Sequence, residues 1–317
     1  MKNIKMKFLL FGAVSLLLAS CLKEGAMNIN PNASNNVLEL NNTGDNIAPS
    51  GIPGYYSDLG SIAAGGSKTF NLNIQYSGPG VAPQDITVTL ATDQATLDSY
   101  NAANGTSKII PPTSAVSFPT SAVILKGTSQ VTVLAKVTVS PDFNFNAAYG
   151  VPVKITASSP AITIGSFGAS VYSFGVRNGF DGAYTITGTL VDAASSGIHG
   201  NYPLSCGLVT SGANTVRLFD NVIGGVYHSI LSGASLSYYG AFGLEFTIDA
   251  SNKITKVVNV YGQPASNGRS ASLDPSGVNT WDPSTKTMKV KYWMDQPSVI
   301  AGHRVAFDET FTYNGVR

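Results

Sequence analysis

Charge is scarce in this 317-residue sequence: only 12% of its residues are Asp, Glu, Lys or Arg, about half the usual quarter, and 19 basic side chains nearly cancel 18 acidic ones. A net charge of +1 supplies no basic field for gripping a phosphate backbone, which excludes nucleic acid as the expected partner. Cysteine is nearly absent, with only Cys21 and Cys206, so a disulfide framework is excluded and stability must come from buried apolar surface. The three histidines, His199, His228 and His303, lie far apart, and none stands at metal-ligand spacing from another His or Cys. Each reads as a surface or hydrogen-bonded strand residue, and no metal or other cofactor is expected. GxSxG elbows, Walker loops and EF-hand calcium loops are missing too. Beyond residue 21 no apolar run is long enough to span a bilayer.

Glycine and proline, by contrast, are plentiful, at 33 and 16 residues. Both are poor inside helices and good in tight turns, so the composition predicts many short strands and excludes a helical bundle. With so few charges, the surface must be built from Ser, Thr, Asn, Gln and Gly.

The first 21 residues carry three lysines, an apolar run over residues 8–19, then Ser20 and Cys21. This is too short for a comfortable span and right for an export signal. Leu18, Ala19, Ser20 and Cys21 resemble a bacterial lipobox, in which the cysteine thiol takes the lipid and becomes the first residue after cleavage. The expectation is therefore a lipoprotein signal peptide over residues 1–20 and a lipid-attachment site at Cys21. Removal of Lys2, Lys5 and Lys7 leaves 16 basic against 18 acidic side chains. Cys206, in PLSCGL, reads as a small buried hydrophobe.

Residues 21–34 are Asn-rich and weakly patterned and read as a flexible tether, with a short strand expected at 37–40. Phe70, Leu72, Ile74 and Tyr76 alternate with polar residues, as do Ile86, Val88 and Leu90. DQATLDSYNAANG places Ala95, Leu97 and Tyr100 on one side of a short helix capped by Thr92 or Asp93 and ended by Gly105. Further strands at 123–125, 131–139, 151–157 and 169–176 predict an immunoglobulin-like two-sheet sandwich over residues 35–177.

NGFDGAY, residues 178–184, is a turn-rich break and the expected boundary. Beyond it, strands near 184–187, 215–219, 226–230, 242–248, 253–260, 286–294 and 303–312 follow one another through local hairpins. They predict a small antiparallel β-barrel-like, lipocalin- or calycin-like unit over residues 180–317. The fold class is all-β.

The stretch from Ile86 to Val133 carries a strand running into Asp93, the Tyr100–Asn101 pair, the Pro111–Pro112 step and a strand before Lys126–Gly127. On these elements it resembles the DUF1735 domain, also called the BT_3987-like N-terminal domain, of Bacteroides-type lipoproteins. The resemblance covers roughly residues 35–176, and the remainder resembles the β-barrel-like domains that accompany it. It implies an outer-membrane lipoprotein, at the cell surface, encoded beside glycan-uptake machinery, with a glycan and outer-membrane uptake proteins as partners. Some relatives carry a family 18 glycosidase domain instead; its DxxDxDxE motif is missing here, and residues 180–317 are too few for a (β/α)₈ barrel. Hydrolysis would need two carboxylates facing one centre, and Glu245, Asp249, Asp308 and Glu309 show no pattern that brings them together. Asp308 and Glu309, as strand neighbours, point to opposite faces.

Aromatic rings make the better case, because sugars lay axial C–H groups on flat rings while their hydroxyls pair with amides and guanidinium groups. Tyr238 and Tyr239 precede a glycine, Trp281 lies in a turn-like NTWDPS segment, and alternation over 286–294 puts Trp293 on the face of Lys289 and Lys291. Gln263 and Arg269 are the candidate polar partners in the loop after Tyr261. The sequence thus predicts a non-catalytic envelope lipoprotein that binds polysaccharide or oligosaccharide. The alternatives are an accessory lipoprotein docking on another protein and, more remotely, a glycoside hydrolase.

Overall fold

The computed structural model describes residues 35–41, 46–48 and 51–317. The export signal, Cys21 and the tether at 21–34 lie outside the described residues.

In the N-terminal half, residues with an alternating apolar pattern form two sheets whose apolar faces meet. One sheet runs Val37–Leu40, Ser67–Ser77, Gln130–Thr138, Val116–Ser117; the other runs Gly54–Ser61, Ala169–Arg177, Val151–Ser159, Ile86–Thr92, Ser121–Ile124. All pairings are antiparallel except that of Gly54–Ser61 with Ala169–Arg177. Leu72, Ile74 and Val137 from the first sheet and Val88, Val153 and Tyr172 from the second share one core.

The only helix among the described residues is Gln94–Asn104. Asp93 caps it, its Oδ2 accepting from Thr96 N at 3.0 Å, and Gly105 ends it at φ 61°, a left-handed conformation that glycine adopts without strain. Thr96, Leu97 and Tyr100 are buried, whereas Ala95, expected inside, points to solvent because it stands one residue off the buried stripe. Gly54 admits the Tyr100 ring: a Cβ there would sit 2.7 Å from it.

In the C-terminal half one sheet curls until its ends approach. Its order is Ile254–Asn259, Leu244–Ile248, Thr215–Asp220, Leu204–Thr210, Gly182–Asp192, His303–Gly315, Thr287–Asp295, Ser270–Leu273, with short Thr280–Asp282 also on Thr287–Asp295. The result is an all-β, nearly closed barrel. Its interior is filled by side chains, among them Phe246, Tyr292, Phe307 and Phe311. The expected strand at 226–230 is displaced: the strand is Ser229–Ser232, which leaves the barrel sheet and joins Ile198–Gly200 and Ser235–Tyr238 in a separate three-stranded sheet. Asp220 explains the shift. Its carboxylate collects the Val222, Ile223 and Ser229 amides at 2.8, 3.0 and 2.6 Å, folding residues 221–228 into a loop.

The 178–184 break is tied down by hydrogen bonds. Asn178 Nδ2 donates to Gly212 O and Thr215 O, and Ser61 Oγ donates to Asn178 O. Asp181 accepts from Thr210 N at 2.7 Å and Arg317 Nε at 2.9 Å.

Candidate functional site

Antiparallel pairing sorts the barrel loops into two ends. The 211–214, 249–253 and 274–286 turns lie at one end, where Asn146 of the N-terminal half donates to Ser211 O at 2.9 Å. The 193–203, 221–243, 260–269 and 296–302 loops gather at the other. Barrel mouths are favoured ligand positions, and this second mouth carries most of the candidate residues.

Three tyrosines meet there, Tyr227 and Tyr238 from the 221–243 stretch and Tyr261 from the 260–269 loop. Tyr227 and Tyr261 stack with ring centroids 5.5 Å apart and planes 11° from parallel, and Tyr238 tilts against Tyr227 at 4.7 Å and 43°. Tyr238 and Tyr261 remain 44% and 43% exposed. Gly243 makes the stack possible, since a Cβ there would meet Val226 O at 2.4 Å and the Tyr261 ring at 3.0 Å. Partial burial and the adjacent Tyr227 hydroxyl push the Tyr261 phenol up to about 12, so it stays a neutral donor at physiological pH. Each ring is held by another, so little side-chain freedom remains to be lost when a ligand lies on them.

Tyr239, next in sequence to Tyr238, points the opposite way and is buried. Its hydroxyl donates to Asp192 Oδ2 at 2.6 Å, and the guanidinium carbons of Arg269 and Arg304 lie 5.3 and 5.4 Å from its ring centroid. Tyr239 therefore positions charges and presents no face to a ligand. Arg269 is at the mouth, held by Gly240 O and Gln296 Oε1.

Gln263 has a structural task. Its Oε1 accepts from Asn259 N at 2.9 Å and Ala271 N at 3.0 Å, while its Nε2 donates to Ala271 O. One side-chain amide thus replaces the missing ladder between Ile254–Asn259 and Ser270–Leu273. A groove of about 550 Å³ follows this seam, lined by residues including Val257, Asn259, Ala271 and Leu273.

The two tryptophans are not part of the tyrosine group. Trp281 is in the strand Thr280–Asp282 rather than a loop; it is buried, with Phe180 edge-on at 4.9 Å, at the end that also holds Ser211. Trp293 lies on the outer face of its strand, and Met288, Val290, Tyr292 and Met294 point inward. One face of its ring is covered by His303, parallel at 3.7 Å, with His303 Nδ1 on Asp295 Oδ1 at 2.6 Å.

Inside the barrel lies a polar cluster that the sequence did not signal. Glu309 receives Tyr202 OH at 2.5 Å, His228 Nε2 at 2.6 Å and Tyr292 OH at 2.8 Å. Cys206 is buried in the same core, and burial pushes its thiol up, away from the reactive thiolate. Among the described residues no three His, Cys, Asp or Glu side chains are grouped to hold a metal ion.

A family model described as an N-terminal domain matches residues 54–162, and no curated protein matches the sequence. A Bacteroides ovatus protein of unknown function superposes with a TM-score of 0.57 at 10% identity, over 89% of this chain and 95% of its own. That likeness extends the shared fold across both halves. A multidomain protein including DUF1735 from Bacteroides ovatus is similar with a TM-score of 0.44 at 12% identity, covering 87% and 92% of the two chains. An auxiliary nutrient binding protein from Bacteroides thetaiotaomicron gives 0.37 at 17% identity, over 84% and 91%.

Proposed function

We propose that this chain, matched over residues 54–162 by a family model described as an N-terminal domain, is a non-catalytic glycan-binding protein of the cell envelope, with its binding surface at the loop-rich mouth of the barrel. The observation that carries this reading is the tyrosine trio. Tyr227, Tyr238 and Tyr261 come from two loop stretches, support one another, and leave two rings about half exposed. A sugar ring laid on Tyr238 or Tyr261 would bury its axial C–H face, and the phenol hydroxyls would exchange hydrogen bonds with its own. Loops on a rigid barrel hold such a platform without conformational cost.

Leu18 to Cys21 support a lipid anchor, and with it an outer-membrane position at the cell surface beside glycan-uptake proteins. In this reading the N-terminal half is a spacer: Asn146 meets the barrel end opposite the tyrosines, so the mouth faces away from it. A panel of host, plant and microbial polysaccharides in affinity electrophoresis tests the proposal, with retardation by at least one of them expected. Leu236 and Val222, about half exposed near the same mouth, favour a second reading in which the patch docks on an envelope protein. Capture of one defined membrane partner, with no glycan retarding the protein, would put that reading in its place.

A further inference from the structure

The charge balance behind the tyrosines is uneven. Asp192, fully buried, is the only carboxylate among the described residues that faces Arg304 and Arg269: Arg304 Nη2 meets it at 3.0 Å, and both guanidinium groups flank the same Tyr239 ring. The next carboxylate at this mouth, Asp295, is already held by His303 at 2.6 Å and Ser272 at 2.9 Å. Two cations therefore share one anion.

Arg269 is the one left short. Its Nη1 donates to Gly240 O at 2.5 Å and its Nε to Gln296 Oε1 at 3.2 Å, both neutral acceptors. Its Nη2 has no hydrogen-bond partner among the described residues, and Arg269 is only partly buried. Partial burial, then repulsion by Arg304, disfavours the charged guanidinium, and an incoming anion would relieve both. Gly240, to which Arg269 is tied, follows Tyr239 and stands two residues from Tyr238, so the unsatisfied cation and the ring platform belong to the same barrel mouth, within the span of one glycan chain.

The geometry points to an acidic glycan as the ligand of this mouth, its uronate carboxylate or sulfate ester paired with Arg269 and its sugar face on Tyr238 or Tyr261. This rests on the glycan-binding reading above and narrows it to a chemical class. The two N–H groups of Arg269 Nη2 are unclaimed and can donate to the oxygens of a carboxylate or sulfate while Nη1 and Nε stay tied to Gly240 and Gln296, a division of labour that the single ammonium of lysine cannot reproduce.

The test titrates wild type, Arg269→Gln and Arg269→Lys with polygalacturonate and its carboxyl-reduced form, and with chondroitin sulfate before and after desulfation. Wild type is expected to bind one of the acidic polymers at least about tenfold more tightly than its neutralised counterpart, the change that one charge-assisted hydrogen bond supplies. Loss on carboxyl reduction identifies a uronate, and loss on desulfation a sulfate. Arg269→Gln should erase the preference, and Arg269→Lys should restore only part of it. Thermal unfolding checks the variants. Should they not fold, added salt applied to wild type replaces them, weakening binding of the acidic polymer and sparing the neutral one. Equal affinity for acidic and neutral forms overturns this inference and leaves glycan binding standing. A preference that survives Arg269→Gln also overturns it. Failure of every polymer, acidic and neutral, to bind overturns the glycan reading itself.

Discussion

His228 and Glu309 face each other at 2.6 Å inside the barrel, with neither side chain exposed to solvent. His228 Nδ1 lies 2.9 Å from the Ser229 carbonyl, which can only accept, and Nε2 faces the carboxylate, so the geometry calls for a proton on each nitrogen. Burial alone would push the imidazole down; the Glu309 carboxylate, the Ser229 carbonyl and Asp220 together outweigh burial and raise it above its ordinary 6.5. Tyr202 and Tyr292 complete the shell of Glu309, and Asp220 lies close enough to favour the cation.

A raised folded-state value fixes the sign of the pH dependence. The contribution of this pair is fully present below 6.5 and is lost as pH rises through the higher folded-state value. Wild type should therefore lose more melting temperature on the alkaline side of neutrality than His228→Gln, whose profile should be flatter. The substitution itself should cost about 3 kcal/mol or more, because it leaves Glu309 buried and unpaired. Parallel pH profiles for the two proteins would contradict the assignment.

Much of the fold was legible because a strand repeats every two residues. Alternation over 286–294 placed Trp293 with Lys289 and Lys291, and the structure has that face outward, with Met288, Val290, Tyr292 and Met294 inward. The same rule held the clue to Glu309, which occupies the inward parity of Val305, Phe307 and Phe311; its partners come from sequence positions about 20 to 110 residues away and leave no local mark. Trp281 misled because Asn279 and Asp282–Ser284 make turn chemistry around a three-residue strand. Tyr238 and Tyr239 could not be told apart, since a doublet guarantees one ring inside without saying which. Tyr227 and Tyr261 went unread as ligand candidates. Their signal was a tyrosine one or two residues from a glycine, at Gly225 and Gly262, but only the tertiary fold brings the loops together.

Gln263 should matter to the barrel. Gln263→Ala deletes the bridge between Asn259 and Ala271, and a loss of about 1–3 kcal/mol is expected from the unpaired backbone groups. Hydrogen exchange should quicken at the Asn259 and Ala271 amides before it does at strands on the far side of the barrel. Unchanged protection at both amides would show that the clamp is dispensable.

Trp281 should matter to stability and leave binding alone. Trp281→Ala removes a buried ring packed on Phe180, and about 3–5 kcal/mol of unfolding free energy should go with it. At temperatures where the variant stays folded, its affinity for any ligand of the mouth should equal that of wild type. A selective loss of affinity with the stability unaltered would place the ligand at the wrong end of the barrel in our account.

The anchor expectation has a direct chemical readout. Cys21→Ser should abolish incorporation of a fatty-acid analogue and release the protein from the membrane fraction. Equal labelling of wild type and variant would remove Cys21 as the attachment site.

The tyrosine platform is the central claim, and calorimetric titration of wild type, Tyr238→Ala and Tyr261→Ala with a glycan that retards the wild-type protein tests it most directly. Loss of a ring that carries the ligand should weaken binding by about 30-fold, equivalent to roughly 2 kcal/mol, with the unfolding temperature nearly unchanged because both rings are half exposed. At least one of the two variants should show that loss. Wild-type affinity in both, with the fold intact, would contradict the account.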